Sequence, residues 1–390
     1  MNAKIILLAA KQGSIVRGHP WIFPKAIARS KGQLITGELV EIHSEEGEFL
    51  GVGAYNEYSL YRVRVLALSS EQCDSSNYIS LITHRIKQAN KIRECLNLPN
   101  EETTAYRLFN SEADGLSGLT IDRFNKICVV ASSAYWVELN KNNVIQVLQN
   151  LYPEDQIIWL PQSKPLGQDG WKQVNAQEIR QTAQVKEAGI IYQVEFGQAQ
   201  KTGLFIDQRE NHQRIAELSR GKTVLDLYTY TGGFALHAAK AGARQITAVD
   251  SSAQAIEQAK NNALLNGLSN IEFIEADARD YLVNAGNYDV VILDPPKLVP
   301  SQKHLQKAKN YYRFLHREVF KQMKAGSLLM TCNCSSALST QEFSSLVSAQ
   351  ALAVGKQARI LGIYGPSSCH PTLASFPEGN YLTALLLAVV

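Results

Sequence analysis

The chain has 390 residues, of which 45% are hydrophobic and 19% charged, and a formal net charge of +3. That length predicts two or three domains, and the composition excludes a disordered, collagenous or disulfide-stapled protein. No apolar run is long enough for a transmembrane helix, no secretory leader is evident, and six irregularly spaced cysteines fit a reducing cytoplasm.

From Lys4 to about Leu68, short alternating stretches punctuated by glycine predict a compact β barrel, assigned to residues 1–72. GELVEIHSEEGEFLGVGAY reads as a hairpin turning at Ser44 to Gly47, and LYRVRVLAL as a further strand. The first 37 residues hold six Lys or Arg and no acid. Phosphate backbones are bound by such patches, so Arg17 and His19 of RGHPWIF are candidate RNA contacts. Trp21 is expected to anchor the barrel's core. Cys73 to Asn77 reads as a linker, and Tyr78 to Leu98 as a helix with Ile79, Ile82, Ile86 and Ala89 on one stripe. Strands at Leu119 to Phe124 and Ile127 to Ala131 belong to a middle α/β region, residues 73–185, that serves as scaffold or as part of an RNA groove. A strand at Ile190 to Phe196 leads into the last unit, residues 186–390.

Three runs in that unit, Thr223 to Leu227, Ile246 to Val249 and Val290 to Leu293, are almost continuously hydrophobic, as strands buried on both faces are. Helix-like segments, Gly233 to Ala241 and Ala253 to Asn266, lie between them, which predicts right-handed crossovers and a parallel sheet. Asp226, Asp250 and Asp294 stand at the ends of these runs, and Asp277 closes a fourth. Ligands of open α/β sheets sit at the carboxyl ends of strands, so the four carboxylates would share one crevice. The turn Thr231-Gly232-Gly233 lets backbone approach a ligand, but it is not G-x-G-x-x-G, so the dinucleotide fingerprint is absent. Asp250 suits two ribose hydroxyls, Asp277 an adenine amine, and Asp226 or Asp294 the ammonium of a methionine moiety. Acids that merely cap helices are the alternative.

DLYTYTGGFA, VDSS, EADA and DPPK resemble the four motifs of the class I S-adenosylmethionine-dependent methyltransferases. Amino-directed members usually follow D-P-P with an aromatic residue that stacks on the target base, whereas this chain has Lys297. A strand at Gly326 to Met330 runs into TCNCSS and brings Cys332 and Cys334 beside the crevice. A thiolate adding to carbon 6 of a pyrimidine makes carbon 5 nucleophilic toward a sulfonium methyl. Cys334 is the candidate nucleophile. Lys297 would favour the thiolate or meet a phosphate, and Asp294 would protonate or hydrogen-bond the ring nitrogen. Both cysteines also suit small buried hydrophobes, Cys332 more so. C-x-C with a distant Cys369-His370 does not match zinc-finger spacing, and no metal is expected. From Lys297 to Lys324 there are eight basic residues and one acid, interleaved with Tyr311, Tyr312 and Phe314. Lys303, Lys307 and Arg313 are candidate RNA contacts there, the alternative being a solvated helix whose aromatics face the core.

Beyond this site, RGHPWIF, ADGLSGLTIDRF, KTGLFIDQR, DPPKLV, CSS and HPTLASFPEGNYL resemble the bacterial large-subunit (23S) rRNA 5-methylcytosine methyltransferases with an amino-terminal PUA domain. The resemblance covers nearly the whole chain. It implies an α/β protein: a PUA β barrel, a middle α/β region and a Rossmann-like class I methyltransferase domain with a seven-stranded, mostly parallel sheet. It implies S-adenosyl-L-methionine held by Asp226, Tyr228, Thr229, Gly232, Gly233, Asp250, Ser251, Asp277, Ala278, Asp294 and Pro295. Lys201, Thr202, Gln208 and Arg209 would lie in a segment folded over the cofactor, with Gln208 and Arg209 near the methionine carboxylate. The thiol of the family's C-S sequence falls on Cys334-Ser335, and 23S rRNA or its precursor is the implied partner. Three features depart from the pattern. Asn333 replaces a serine, Cys332 is an extra thiol and a possible substitute nucleophile, and Lys297 occupies the region where better-known RNA cytosine methyltransferases carry a second cysteine. Nitrogen methylation of guanine or adenine, a noncatalytic RNA-binding assembly role, and a homodimer all stay open at this point.

Overall fold

The structure is a computed structural model that describes residues 3–172, 181–196, 204–298 and 305–390. Alternating side chains in the first 68 residues build β1 (Lys4–Leu7), α1 (Ala9–Val16), β2 (Trp21–Ile22), β3 (Ile27–Lys31), β4 (Leu39–His43), β5 (Phe49–Tyr55) and β6 (Val63–Leu68). They form one six-stranded sheet in the order β2-β6-β5-β4-β1-β3, closed over Ile5, Leu7, Ile22, Val40, Ile42 and Val63. Trp21 is not in that core. It stacks on Tyr61 at 3.9 Å, meets Phe376 edge-on at 4.5 Å, and donates from Nε1 to Ser117 Oγ at 3.0 Å. An indole N–H needs a polar partner when covered, and the seam between three regions supplies one.

The middle region consists of α2 (Tyr78–Cys95), β7 (Ala105–Asn110), β8 (Leu119–Phe124), β9 (Ile127–Ser132), α3 (Tyr135–Leu139), α4 (Lys141–Leu151), β10 (Gln156–Pro161) and α5 (Ser163–Gln168). α2 stops at Cys95, short of the predicted Leu98, because Asn97 takes a left-handed φ of 55° and Pro99 follows. One face of the sheet β10-β9-β8-β7 packs Tyr106, Leu108, Ile121, Val130 and Trp159 under the helices. Part of the other face packs Phe124, Val129 and Ile158 against the hairpin β11 (Gln181–Glu187) and β12 (Ile190–Phe196), which also touches Leu236 and Ala263 beyond it. β11 begins five residues before the predicted boundary at 186, so the hairpin belongs to both neighbours.

The last region contains α6 (Arg209–Ser219), β13 (Thr223–Leu227), α7 (Gly233–Lys240), β14 (Gln245–Asp250), α8 (Ala253–Leu265), β15 (Ile271–Glu275), α9 (Ala278–Tyr281), β16 (Val290–Leu293), α10 (Leu305–Gln322), β17 (Leu328–Asn333), α11 (Thr340–Leu352), β18 (Ala358–Tyr364) and β19 (Thr383–Val389). Its seven strands run β15-β14-β13-β16-β17-β19-β18, with β19 alone antiparallel to its neighbours. β17 extends through Asn333, beyond the predicted end at Met330, since Thr331 pairs with Leu293 and Cys332 with Ala384. Two buried ion pairs lock the regions together. Arg93 grips Asp114 with two bonds of 2.9 and 2.7 Å and donates to the Cys369 carbonyl, while Arg64 reaches Asp169 at 3.0 Å. Among the described residues, no helix is long and apolar enough to cross a membrane.

Candidate active site

The order β14-β13-β16-β17 puts Asp250, Asp226, Asp294 and Cys334 at neighbouring strand ends. Between β13 and α7 the loop is tight. Tyr228 and Tyr230 hold positive φ of 68° and 51°, and Gly232 has φ 91°. A side chain at Gly233 would come within 2.6 Å of the His212 ring, so the loop lies flat on α6 with backbone N–H groups opening α7. Tyr230 N–H and Ser252 N–H each donate 2.9 Å bonds to opposite oxygens of Asp250. Those bonds orient the carboxylate and leave each oxygen a further lone pair for a diol. Ser251 is exposed beside it, and Ala278 is buried at the start of α9.

Asp226 is fully buried. Its Oδ2 accepts from Thr229 Oγ1 at 2.6 Å and Ala235 N at 3.1 Å, whereas its Oδ1 has no hydrogen-bond partner. Burial pushes its carboxyl up to about 7, against the pull of Thr229 and of nearby His212. An orphaned carboxylate oxygen under a glycine turn is what a cationic ligand group needs. These residues fit the ribose and ammonium of S-adenosylmethionine.

Asp277 N-caps α9 by accepting from Arg279 N at 2.9 Å, and the Arg279 guanidinium pairs with it, which lowers its carboxyl pKa. Tyr228 Oη lies 3.3 Å from Tyr311 Oη of α10. Gln208 donates from Nε2 to Asp294 Oδ2 at 3.0 Å, and the Cys334 thiol stands 3.8 Å from Asp294 Oδ1. Cys334 is half-buried just past β17, but Cys332 inside the strand has no exposure, and burial drives its thiol pKa well up. Asn333 has a clear task. Its Nδ2 donates to the carbonyls of Ser335 and Leu338 at 3.0 Å and its Oδ1 accepts from Tyr312, which fixes the turn carrying Cys334.

Pro295 is buried and Lys297 exposed two residues further on. Arg209 donates to Cys369 Sγ at 3.5 Å and lies 3.6 Å from Glu210. Of the basic candidates, Arg17 and Lys307 are exposed and Arg313 bonds Asn310 at 2.7 Å. His19 packs edge-on against Phe376 with Nε2 3.8 Å from Glu378. Tyr312 of the aromatic patch is core, while Phe314 is exposed. Lys201, Thr202 and Lys303 lie outside the described residues.

Sequence reasoning missed a buried knot beneath the loop. His212 Nδ1 is 2.7 Å from Glu187 Oε1, and His237 places Nδ1 2.9 Å from the Gly233 carbonyl and Nε2 3.2 Å from that of Glu187. The ligand atoms of all three lie within 4.8 Å of one another. Burial opposes ionisation of Glu187, but the His212 charge holds its pKa below the ordinary range. The spacing of His212 with Ile215 and Ser219 marks it as facing inward on α6, yet nothing local pairs it with Glu187.

A seven-stranded sheet of this order, with an acid-lined crevice at its strand ends and a separate amino-terminal β barrel, defines an S-adenosylmethionine-dependent methyltransferase. Residues 164–352 match the family model "S-adenosylmethionine-dependent methyltransferase", and residues 5–68 match "PUA-like domain". Ribosomal RNA large subunit methyltransferase I of Aeromonas hydrophila is 34% identical over 99% of both chains. Its namesake of Escherichia coli O127:H6 is 31% identical over 100% of both. The chain belongs to this family. Its fold is shared by a protein solved in complex with SAH (TM-score 0.82, 19% identity, 99% of each chain) and by a protein from Streptococcus mutans (TM-score 0.78, 20% identity, 99% of each chain).

Proposed function

We propose that this protein methylates carbon 5 of a cytosine in large-subunit rRNA through a covalent adduct on Cys334. The observation that carries the reading is the trio Cys334, Asp294 and Gln208 at the ends of β16 and β17 and at the start of α6. The Cys334 thiol is half-buried beside the Asp294 carboxylate, whereas Cys332, two residues earlier, is sealed in the core.

The target cytosine must be unstacked to enter the crevice. Asp250, the Tyr228–Gly233 loop and Asp226 hold the cofactor, which supplies an electrophilic methyl on a sulfonium. The Cys334 thiolate adds to carbon 6 while Asp294, carrying a proton or sharing one with the base, stabilises ring nitrogen 3 as charge develops. Carbon 5 thereby gains the electron density needed to accept the methyl group. Loss of the carbon 5 proton and expulsion of the Cys334 sulfur then restore the ring. Gln208 keeps Asp294 oriented through both stages. Exposed Lys297 serves in this reading as a phosphate contact, with Arg17 and Lys307, also exposed, as further ones.

The test is mass analysis of nucleosides from rRNA of a strain lacking this protein, before and after incubation with the enzyme and S-adenosylmethionine. New 5-methylcytidine supports the reading, and a new N-methylated purine overturns it.

A further inference from the structure

We infer that the open part of the middle sheet holds an unpaired nucleobase next in the strand to the one that is methylated. The inference rests on RNA methyl transfer at the neighbouring site, and not on which atom of the target receives the methyl group.

The sheet face opposite α2 and α4 is divided. Ala105, Phe124, Val129 and Ile158 are covered by the β11-β12 hairpin. The remainder, with Arg107, Thr120, Ala131, Leu160 and Gln162, walls a cleft of about 210 Å³ whose other side is the segment Leu204 to Asp207. Sheet faces are normally closed by apolar packing. A polar one that the described residues leave uncovered beside a catalytic domain has the form of the surfaces on which single-stranded RNA lays its bases. The volume is below the 300–1,000 Å³ or so of pockets for larger ligands and suits one ring system.

Two connections place this cleft against the methyl-transfer site. Asp207 accepts from Tyr381 Oη at 2.8 Å and immediately precedes Gln208, which holds Asp294. Phe205 meets the Tyr230 ring of the cofactor loop edge-on at 5.0 Å. None of Asp226, Asp250, Asp294 or Cys334 lines the cleft, so it is a separate subsite, joined to that crevice through the adjacent residues Asp207 and Gln208.

The lining also defines the guest. Arg107 is paired with Asp122 and bonds Asn110, so its guanidinium is already engaged within the floor. The lining includes Asp207, Gln162, Thr120, Ser133 and His370 beside the apolar Leu160 and Phe205. The Asp207 carboxylate, which can only accept, beside an apolar wall favours a base that donates from an exocyclic amine, hence adenine, cytosine or guanine over uracil.

The experiment compares wild type with the double variant Thr120→Val/Gln162→Ala. After the methylated nucleotide has been mapped, oligoribonucleotides spanning it are made with the base removed at the 5′ or the 3′ neighbour. Wild type is expected to lose roughly tenfold to thirtyfold in kcat/KM, mostly through KM, when one of the two neighbours is abasic. The double variant is expected to show that loss already on intact RNA and to be indifferent to the same abasic site, with S-adenosylmethionine affinity and melting temperature unchanged. Uracil at that neighbour should cost wild type part of the same loss. Equal activity of variant and wild type on intact RNA overturns the subsite, as does an abasic penalty of the same size in both proteins. Should the double variant fold poorly, the comparison of abasic with intact RNA in Gln162→Ala alone decides. Absence of any methyl transfer by wild type overturns the underlying reading instead.

Discussion

Two buried aspartates divide this molecule into a part built to hold together and a part built to receive something. Asp114, at the seam between the middle region and the segment around Cys369, has Arg93 on both oxygens and accepts a further bond from Asn110 N. Asp226, beneath the glycine turn, keeps one oxygen with no partner and stays protonated up to about pH 7 in the ligand-free protein. Both are inaccessible to water, so burial alone does not distinguish them. The distinction is completion. A fully bonded ion pair costs most when one member is removed, whereas an incomplete one holds desolvation free energy that an incoming cation relieves.

Cys334→Ala tests the receiving part most severely. Methyl transfer should fall at least a thousandfold, about 4 kcal/mol of transition-state stabilisation, while S-adenosylmethionine affinity and melting temperature hold. Cys332→Ala should leave catalysis near wild type and cost about 1–2 kcal/mol of stability as a buried cavity. Reversed effects of the two substitutions would remove the contrast between these thiols. At the seam, Arg93→Ala should destabilise by about 3–5 kcal/mol, measured by urea unfolding, because it strands Asp114 without a counterion. A loss below about 1 kcal/mol would show that water repairs the site.

Asp226→Asn sharpens the comparison further, because its two effects have opposite signs. Cofactor affinity should fall roughly tenfold to a hundredfold by calorimetry, about 1.4–2.7 kcal/mol, while the ligand-free protein becomes more stable at neutral pH. The folded carboxyl pKa, about 7, lies above the ordinary 3.8, so the native state retains its proton where the unfolded chain has lost it. Stability from this group is therefore complete below about pH 4, is lost as pH rises to about 7, and is level above that. The melting-temperature advantage of the variant should open across that window. Affinity of wild type for the cationic cofactor should rise with pH through the same window. Equal pH profiles of wild type and variant would contradict the assignment. Asp250→Ala should cost roughly tenfold to a hundredfold in cofactor affinity by calorimetry, through the lost ribose bond.

The sheet was legible because doubly buried parallel strands are spelled as continuous apolar runs, and β13 and β16 lie where those runs stand. Edge strand β15 is less plainly written, for its residues are half exposed. Asp226, Asp250, Asp294 and Cys334 could be picked out because each sits at a strand end, a position that topology carries to one crevice. Arg209 reads as a partner of the methionine carboxylate and His19 as an RNA contact, but the packing of neither was legible. Their partners are Cys369 and Phe376, far along the chain, and a lone arginine or histidine carries no signal for so distant a contact. The same holds for Glu187, His212 and His237, which join three elements under the loop. Trp21 reads as core because tryptophan usually is, but its N–H required the Ser117 hydroxyl of another region.

A covalent trap tests the central claim most directly. With RNA in which cytosines carry fluorine at carbon 5, methylation can proceed but no proton is left there to remove, so the sulfur cannot be expelled. In the presence of S-adenosylmethionine, wild type and Cys332→Ala should form a protein–RNA complex that survives denaturing electrophoresis, and peptide mass analysis should place the link on Cys334. No such complex, or a link through another residue, would contradict the account.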